Sequence, residues 1–168
     1  AQPRPWDRRW SQAKAPVLRT LSIEIKIRGP TEIEKQIESC PISMPEYPLI
    51  TLAHGGGGLL SQKLFEQVFL PAFENEYLRE AHDGAALPHM QGAVAMTTDA
   101  HVVQPLFFPG GDIGTLAVNG TVNDLAVSGA IPHYLTLSAI IEEGLEIAQL
   151  ERIVASLAGA ARKAGVKV

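Results

Sequence analysis

Hydrophobic and polar residues alternate strictly over 21–27, which is the period of a half-buried β-strand. Farther along, apolar residues recur with the spacing of one helical face in three stretches. The predicted helices cover residues 59–70, 113–128 and 146–164. Pro71 is expected to end the first helix and Asp112 to cap the second, while Gly129 and Gly165 are expected to end the second and third.

Shorter apolar runs lie between these helices and predict further strands. The ranges are 49–53, 83–87, 93–98, 132–141 and 166–168, with a turn at 88–92 and an apolar segment at 102–108. Strands and helices are mixed without a regular β-α-β repeat. The predicted fold class is therefore α+β, a mixed or antiparallel sheet packed with helices.

The first 38 residues differ from the rest of the chain. Pro3, Pro5 and Pro16 predict disorder over 1–20, and Thr31 is positioned to cap a short helix over 31–37. The strand predicted at 21–27 has no partner that the sequence identifies. We expect an extension, 1–38, followed by one domain, 39–168.

Composition narrows the function classes. A chain of 168 residues suits one core, and no apolar run approaches the ~20 residues of a membrane span. Residues 1–30 hold seven Lys/Arg against two acids (net +5), whereas residues 31–168 hold seven against sixteen (net −9). The basic arm is short and accompanies no nucleic-acid-binding motif, so neither nucleic acid nor membrane is an expected partner. The single cysteine, Cys40, fits a reducing cytoplasm.

Four consecutive glycines, Gly55, Gly56, Gly57 and Gly58, precede the first predicted helix. Glycines let backbone N–H groups approach a ligand, and a helix N-terminus favours phosphate. Taken alone, the run fits a flexible turn equally well. Lys63, one turn into the helix, is a candidate for the accompanying positive charge.

Three acidic motifs complete the candidate chemistry: Asp83 in His-Asp-Gly, Asp99 in Thr-Thr-Asp, and Asp124 in Asn-Asp-Leu-Ala. Carboxylates without a basic cluster suit Mg²⁺, which prefers oxygen ligands. Each aspartate singly has an alternative as a strand start, a turn cap or a solvated helix residue. The five histidines and one cysteine show no zinc-ligand spacing.

These motifs, together with Pro105-Leu-Phe-Phe-Pro-Gly-Gly-Asp112, carry a resemblance to a known family. Residues from about 39 to 168 resemble the N-terminal half of the HypE carbamoyl dehydratases, within the aminoimidazole ribotide synthetase-like superfamily. The resemblance implies ATP and Mg²⁺ as cofactors. It implies nucleotide-binding roles for Gly55, Gly56, Gly57, Gly58, Asp83, Asp99, Asn119, Asn123 and Asp124, and metal-binding roles for the three aspartates.

The resemblance also implies a reaction and its partners. In HypE proteins a C-terminal cysteine receives a carbamoyl group from HypF. ATP-dependent dehydration then gives a thiocyanate, whose cyano group reaches the hydrogenase iron through HypC–HypD. A homodimer is expected as well. The chain matches an incomplete family sequence, so we expect it to be inactive alone; its catalytic residue is unknown, and Cys40 is not expected to carry the carbamoyl group.

Two alternatives stay open at this point. Another enzyme of the superfamily, such as thiamine monophosphate kinase or selenophosphate synthetase, would share Thr-Thr-Asp and Asn-Asp-Leu-Ala. A non-catalytic dimerisation module is the second alternative, and nucleotide binding discriminates it from an enzyme.

Overall fold

The structure is a computed structural model, and it describes residues 20–27, 48–90 and 92–168. The predicted disorder up to residue 19 and the predicted helix over 31–37 lie outside these ranges. The strands are β1 (Thr20–Ile27), β2 (Thr97–His101), β3 (Phe107–Phe108), β4 (Gly111–Asp112) and β5 (Tyr134–Ile141). The α-helices are α1 (Leu59–Leu64), α2 (Leu70–Phe73), α3 (Glu76–Arg79), α4 (Ile113–Val127) and α5 (Ile147–Ala164), and a 3₁₀ helix covers Leu52–Gly55.

The main sheet has the order β2-β1-β5, and both of its pairings are parallel. A separate two-stranded antiparallel sheet joins β3 to β4. Parallel and antiparallel pairings combined with packed helices confirm the α+β class. Within the described ranges, no helix is both long and apolar enough to cross a membrane.

Strand β1 lies at the centre of the sheet, and its alternating apolar residues are buried on one face, as predicted. Ile23, Ile25 and Ile27 are buried on one face, while Glu24 on the opposite face is exposed. Burying a side chain of this size contributes about 1.5–3 kcal/mol. The sequence predicted the strand but not its position, because parallel partners are distant along the chain.

Helix α5 packs its apolar face against α4 and against the helical segment over residues 65–73. Its buried residues include Leu150, Ile153 and Leu157, as the helical spacing predicted. Helix α4 approaches α5 closely at Gly114, where a Cβ atom would lie 2.5 Å from the backbone oxygen of Ile153. This close crossing fixes the position of α4, which carries part of the candidate site.

The predicted ends of the two long helices are confirmed. The Asp112 side chain accepts a hydrogen bond from the backbone N–H of Thr115 (2.9 Å), as an N-cap does. Gly129 follows α4 with a φ of +77°, and Gly165 ends α5 in the left-handed conformation with a φ of +70°. Both positions therefore use the left-handed conformation that glycine adopts at the lowest cost.

The first predicted helix is longer than expected. It continues through Pro71 to Phe73, because a π-helical turn over Phe65–Phe69 joins α1 to α2. Proline lacks an N–H and its ring crowds the carbonyl four residues earlier. The wider π turn just before Pro71 changes this local geometry, so the helix is not broken.

Three strand predictions were wrong in detail. Residues 49–53 form one isolated bridge, Leu49 to Glu146, and then the 3₁₀ helix. Residues 83–87 are irregular, and the strand predicted at 93–98 instead begins at Thr97 and continues to His101. At the other end of the chain, Lys167 makes a single parallel bridge with Tyr134 at the edge of β5.

Candidate functional site

The chemistry-bearing residues of β2 lie on the face that packs against α4. Thr97, Asp99 and His101 alternate along the strand and are half-buried, whereas the intervening residues are exposed. On α4, Asp124 follows Gly120 by four residues and Thr121 by three, so the three residues lie on one side of the helix. We call the contact between these two sets of residues the β2–α4 seam.

At one end of the seam, His101 connects Asp99 to the helix. Its Nε2 lies 3.1 Å from Asp99 Oδ2 and 3.4 Å from Thr121 Oγ1. The second Asp99 oxygen, Oδ1, accepts the backbone N–H of Ala100 at 2.9 Å. Asp99 therefore has a partner on each oxygen, yet its side chain is still 36% exposed.

At the other end of the seam, Asp124 connects α4 to β2. Its Oδ2 accepts a long hydrogen bond from the Thr97 hydroxyl, at 3.4 Å, and the side chain faces solvent. Asn119 and Asn123 are exposed on the adjacent stripe of the same helix. The seam thus presents two carboxylates with two amides beside them on one helix.

The glycine loop is exposed from Gly55 to Gly58 and leads directly into α1. The Ser61 hydroxyl connects the loop to the first turn of the helix. It accepts the Gly57 N–H at 3.0 Å and donates to the His54 backbone oxygen at 2.6 Å. On the other side of the loop, His54 Nδ1 accepts the Thr51 backbone N–H at 3.0 Å.

The backbone conformation favours glycine at one place in the loop. Gly57 has a φ of +73°, which a side chain rarely adopts. At Gly55 and Gly58 an added Cβ would meet no atom within 4 Å. The open surface above these glycines is therefore available for a ligand to approach the backbone closely.

Asp83 lies apart from the glycine loop, at a large apolar cavity. This cavity has a volume of about 600 Å³, and it is lined by aromatic rings from the helical segment over residues 65–79 and from β5. Tyr77 and Tyr134 meet there through their hydroxyls (3.1 Å), and this hydrogen bond raises the pKa of Tyr77 to about 12. A smaller cavity of about 360 Å³ reaches the loop at His54 and Gly55.

The fit to magnesium is partial. Among residues 20–27, 48–90 and 92–168, no three His, Cys, Asp or Glu side chains come together as a metal cage. Mg²⁺ in nucleotide sites is usually held by one or two carboxylates together with substrate phosphates. The seam supplies two such carboxylates, Asp99 and Asp124, and the metal roles of Asp83, Asp99 and Asp124 stay predictions.

Sequence reasoning missed several partners of the predicted residues. Thr97 and His101 flank Asp99 at a spacing of two, so the strand period placed them on the same face. Thr121, which follows Gly120 on α4, is a further missed partner, because its hydroxyl contacts His101. The period-two signal was present, but the sequence does not reveal which helix covers that face.

The family was identified by comparison with known proteins. Residues 81–168, which include β2, α4 and α5, match the model of the AIR synthase related protein N-terminal domain. The chain belongs to this family. The seam therefore lies within the matched residues, whereas β1 and the glycine loop precede them.

Relatives of known name agree with the resemblance to HypE. The chain is 55% identical over 120 residues to the carbamoyl dehydratase HypE of Cupriavidus necator, covering 71% of this chain and 34% of that protein. It is 48% identical over 124 residues to HypE of Escherichia coli, covering 71% of this chain and 37% of the other. The predicted resemblance is thereby confirmed.

Solved structures give the same result. A crystal structure of hydrogenase maturation protein HypE in complex with ATP is 48% identical with a TM-score of 0.63, over 70% of this chain and 35% of the other. The structure of E. coli HypE is 40% identical with a TM-score of 0.53, over 64% and 35%. The chain spans about a third of the length of the relatives it matches.

Proposed function

We propose that this chain forms the nucleotide-binding part of an ATP-dependent carbamoyl dehydratase that acts in nickel–iron hydrogenase maturation. The observation that carries the proposal is the 48% identity to a HypE protein whose structure holds ATP. The β2–α4 seam and the open glycine loop supply carboxylates and accessible backbone N–H groups, the two features such a ligand needs.

The residues of this chain have separable tasks in that proposal. The glycine loop at the start of α1 binds phosphate through backbone N–H groups and the positive end of the helix. Asp99 and Asp124 hold Mg²⁺, and Asn119 and Asn123 orient the nucleotide from the same helix. Bound magnesium would neutralise phosphate charge during transfer.

The remaining features of the proposal concern the whole protein. A cysteine S-carboxamide is the substrate, and its dehydration gives a thiocyanate. HypF as carbamoyl donor and HypC–HypD as acceptor are the proposed partners, and the cytoplasm is the proposed location. A homodimer is proposed because Val94, Met96 and Val127 expose more than half of their side-chain surface.

The relatives favour this function over the alternatives. Those with the highest reported identity carry the HypE name, which supports a carbamoyl dehydratase over a kinase or selenophosphate synthetase of the superfamily. ATP binding would in turn support an enzyme over a non-catalytic dimerisation module.

The test is calorimetric titration of the full chain with ATP in the presence of Mg²⁺. Asp124→Asn removes one negative charge without changing the side-chain shape. Loss of a charged contact costs about 1.5–3 kcal/mol, so the affinity should fall roughly tenfold or more.

Glu151→Gln is the matched control, because it removes the same charge from an exposed position on α5. It should leave the affinity unchanged. A wild-type chain that does not bind ATP would refute the proposed function. Equal affinities for wild type and Asp124→Asn would refute only the role of Asp124.

A further inference from the structure

His101 is the one ionisable side chain of the seam that no predicted role includes. Its side chain is only 11% exposed, and its Nε2 faces both Asp99 Oδ2 (3.1 Å) and Thr121 Oγ1 (3.4 Å). Packing alone does not require the Nε2 atom of His101 to contact Asp99, a candidate metal-binding residue.

Thr121 determines the direction of these hydrogen bonds. Its hydroxyl is fully buried and donates to the Ala117 backbone oxygen at 2.9 Å. Since that hydrogen is already used, Thr121 Oγ1 can only accept from His101. Nε2 therefore carries a hydrogen, which is shared between Thr121 and Asp99.

Helix α4 leaves room for the ring at a glycine. A Cβ atom at Gly120 would lie 2.9 Å from His101 Cε1, a distance that real Cβ contacts do not show. The same atom would be in ordinary contact with Asp99 Oδ2, at 3.7 Å. Gly120 thus provides the space in which His101 reaches Asp99.

We propose that His101 is a positioning residue that fixes the Asp99 carboxylate for the nucleotide-bound metal ion. The inference rests on the proposed function. With Oδ2 held by His101 and Oδ1 by the Ala100 N–H, the carboxylate cannot rotate freely. A carboxylate has more lone pairs than these two contacts use, and the Asp99 side chain is partly exposed, so it can still accept a ligand.

A purely structural role predicts a different behaviour. If His101 only stabilised the contact between β2 and α4, its loss would lower the free energy of unfolding and leave ATP affinity unchanged. Its effect on affinity would also not depend on Asp99. A double-mutant cycle separates the two cases because residues that act through one another are not additive.

The experiment compares His101→Leu, Asp99→Asn and the double variant of the full chain, by calorimetry with Mg²⁺-ATP and by urea unfolding. His101→Leu should weaken ATP binding about tenfold, as losses of such supporting hydrogen bonds do. In the Asp99→Asn background the same change should have almost no further effect. His101→Gln should restore most of the affinity, since its amide N–H can replace the Nε2 hydrogen.

His89→Leu serves as the control, because His89 is exposed. Gly120→Ala is a second probe that keeps His101 but displaces its ring, and we expect similarly weakened binding without lost stability. Wild-type affinity in His101→Leu or Gly120→Ala, or additive effects in the cycle, would overturn the inference while the proposed function stands. Absence of ATP binding by the wild type would overturn both.

Discussion

The crossing of α4 and α5 offers a direct test of how packing positions the seam. A Cβ atom added at Gly114 would lie 2.5 Å from the Ile153 backbone oxygen and 2.6 Å from Ser156 Oγ. Both distances are shorter than atoms tolerate, and the first involves backbone that cannot rotate away. Gly114→Ala must therefore push the two helices apart.

The expected cost follows from two opposing effects. Overpacking in a well-packed contact costs about 1–3 kcal/mol. Alanine is favoured over glycine in a helix by up to about 1 kcal/mol, but Gly114 is only the second residue of α4. The Ser156 hydroxyl also donates to Asp112 across this crossing, and separation would weaken that bond. We expect a net loss of about 1–2 kcal/mol in the free energy of unfolding.

Urea unfolding followed by circular dichroism measures this loss. Gly159→Ala is the matched control, because Gly159 lies within α5 and an added Cβ there would meet nothing within 4 Å. It should stabilise the protein by roughly 0.5–1 kcal/mol. If Gly114→Ala were as stable as the control, the steric reasoning about this crossing would be wrong.

Two further predictions concern the aromatic cavity and self-association. The hydrogen bond with Tyr134 is the main cause that raises the pKa of Tyr77 to about 12, so Tyr134→Phe should return that pKa toward 10. The pKa of Tyr77 is higher in the folded chain than in the unfolded chain. The stability that this hydrogen bond contributes is therefore present below pH 10 and is lost as the pH rises toward 12. An ultraviolet titration of tyrosine absorbance checks this, and an unchanged curve would contradict it. The exposed apolar side chains, such as Met96 and Val127, predict a dimer, and sedimentation equilibrium giving a monomer at tens of micromolar would count against it.

Elements specified by local chemistry were predictable from the sequence. Asp112 caps α4 and Gly165 ends α5 as expected, because both signals act within one helical turn. The segment 83–87 was predicted as a strand and is irregular. Its apolar residues fit a short strand, but no backbone among the described residues pairs with it, and strand formation depends on such pairing.

The candidate site was predictable in part. Asp99 and Asp124 lie on the same seam, at its two ends, because β2 packs against α4, whereas Asp83 lies at the aromatic cavity. The contacts made by His101 with Asp99 and Thr121 were not predicted. They depend on the close approach of a strand to a helix at Gly120, which sequence periodicity does not reveal.

Strand β1 belongs to the N-terminal extension predicted over residues 1–38, and it pairs directly with the strand that carries part of the candidate site. In the parallel register Ile23 pairs with Asp99 and Ile25 with His101, so β1 sets the backbone of the strand that carries both residues. A shift of one residue in β2 would turn Asp99 and His101 away from α4, since side chains alternate between faces. The buried isoleucines of β1 hold that strand against α4, because turning them outward would expose apolar surface. Yet β1 lies outside the residues matched by the family model, so the geometry of the candidate site depends on a segment that the family model does not match.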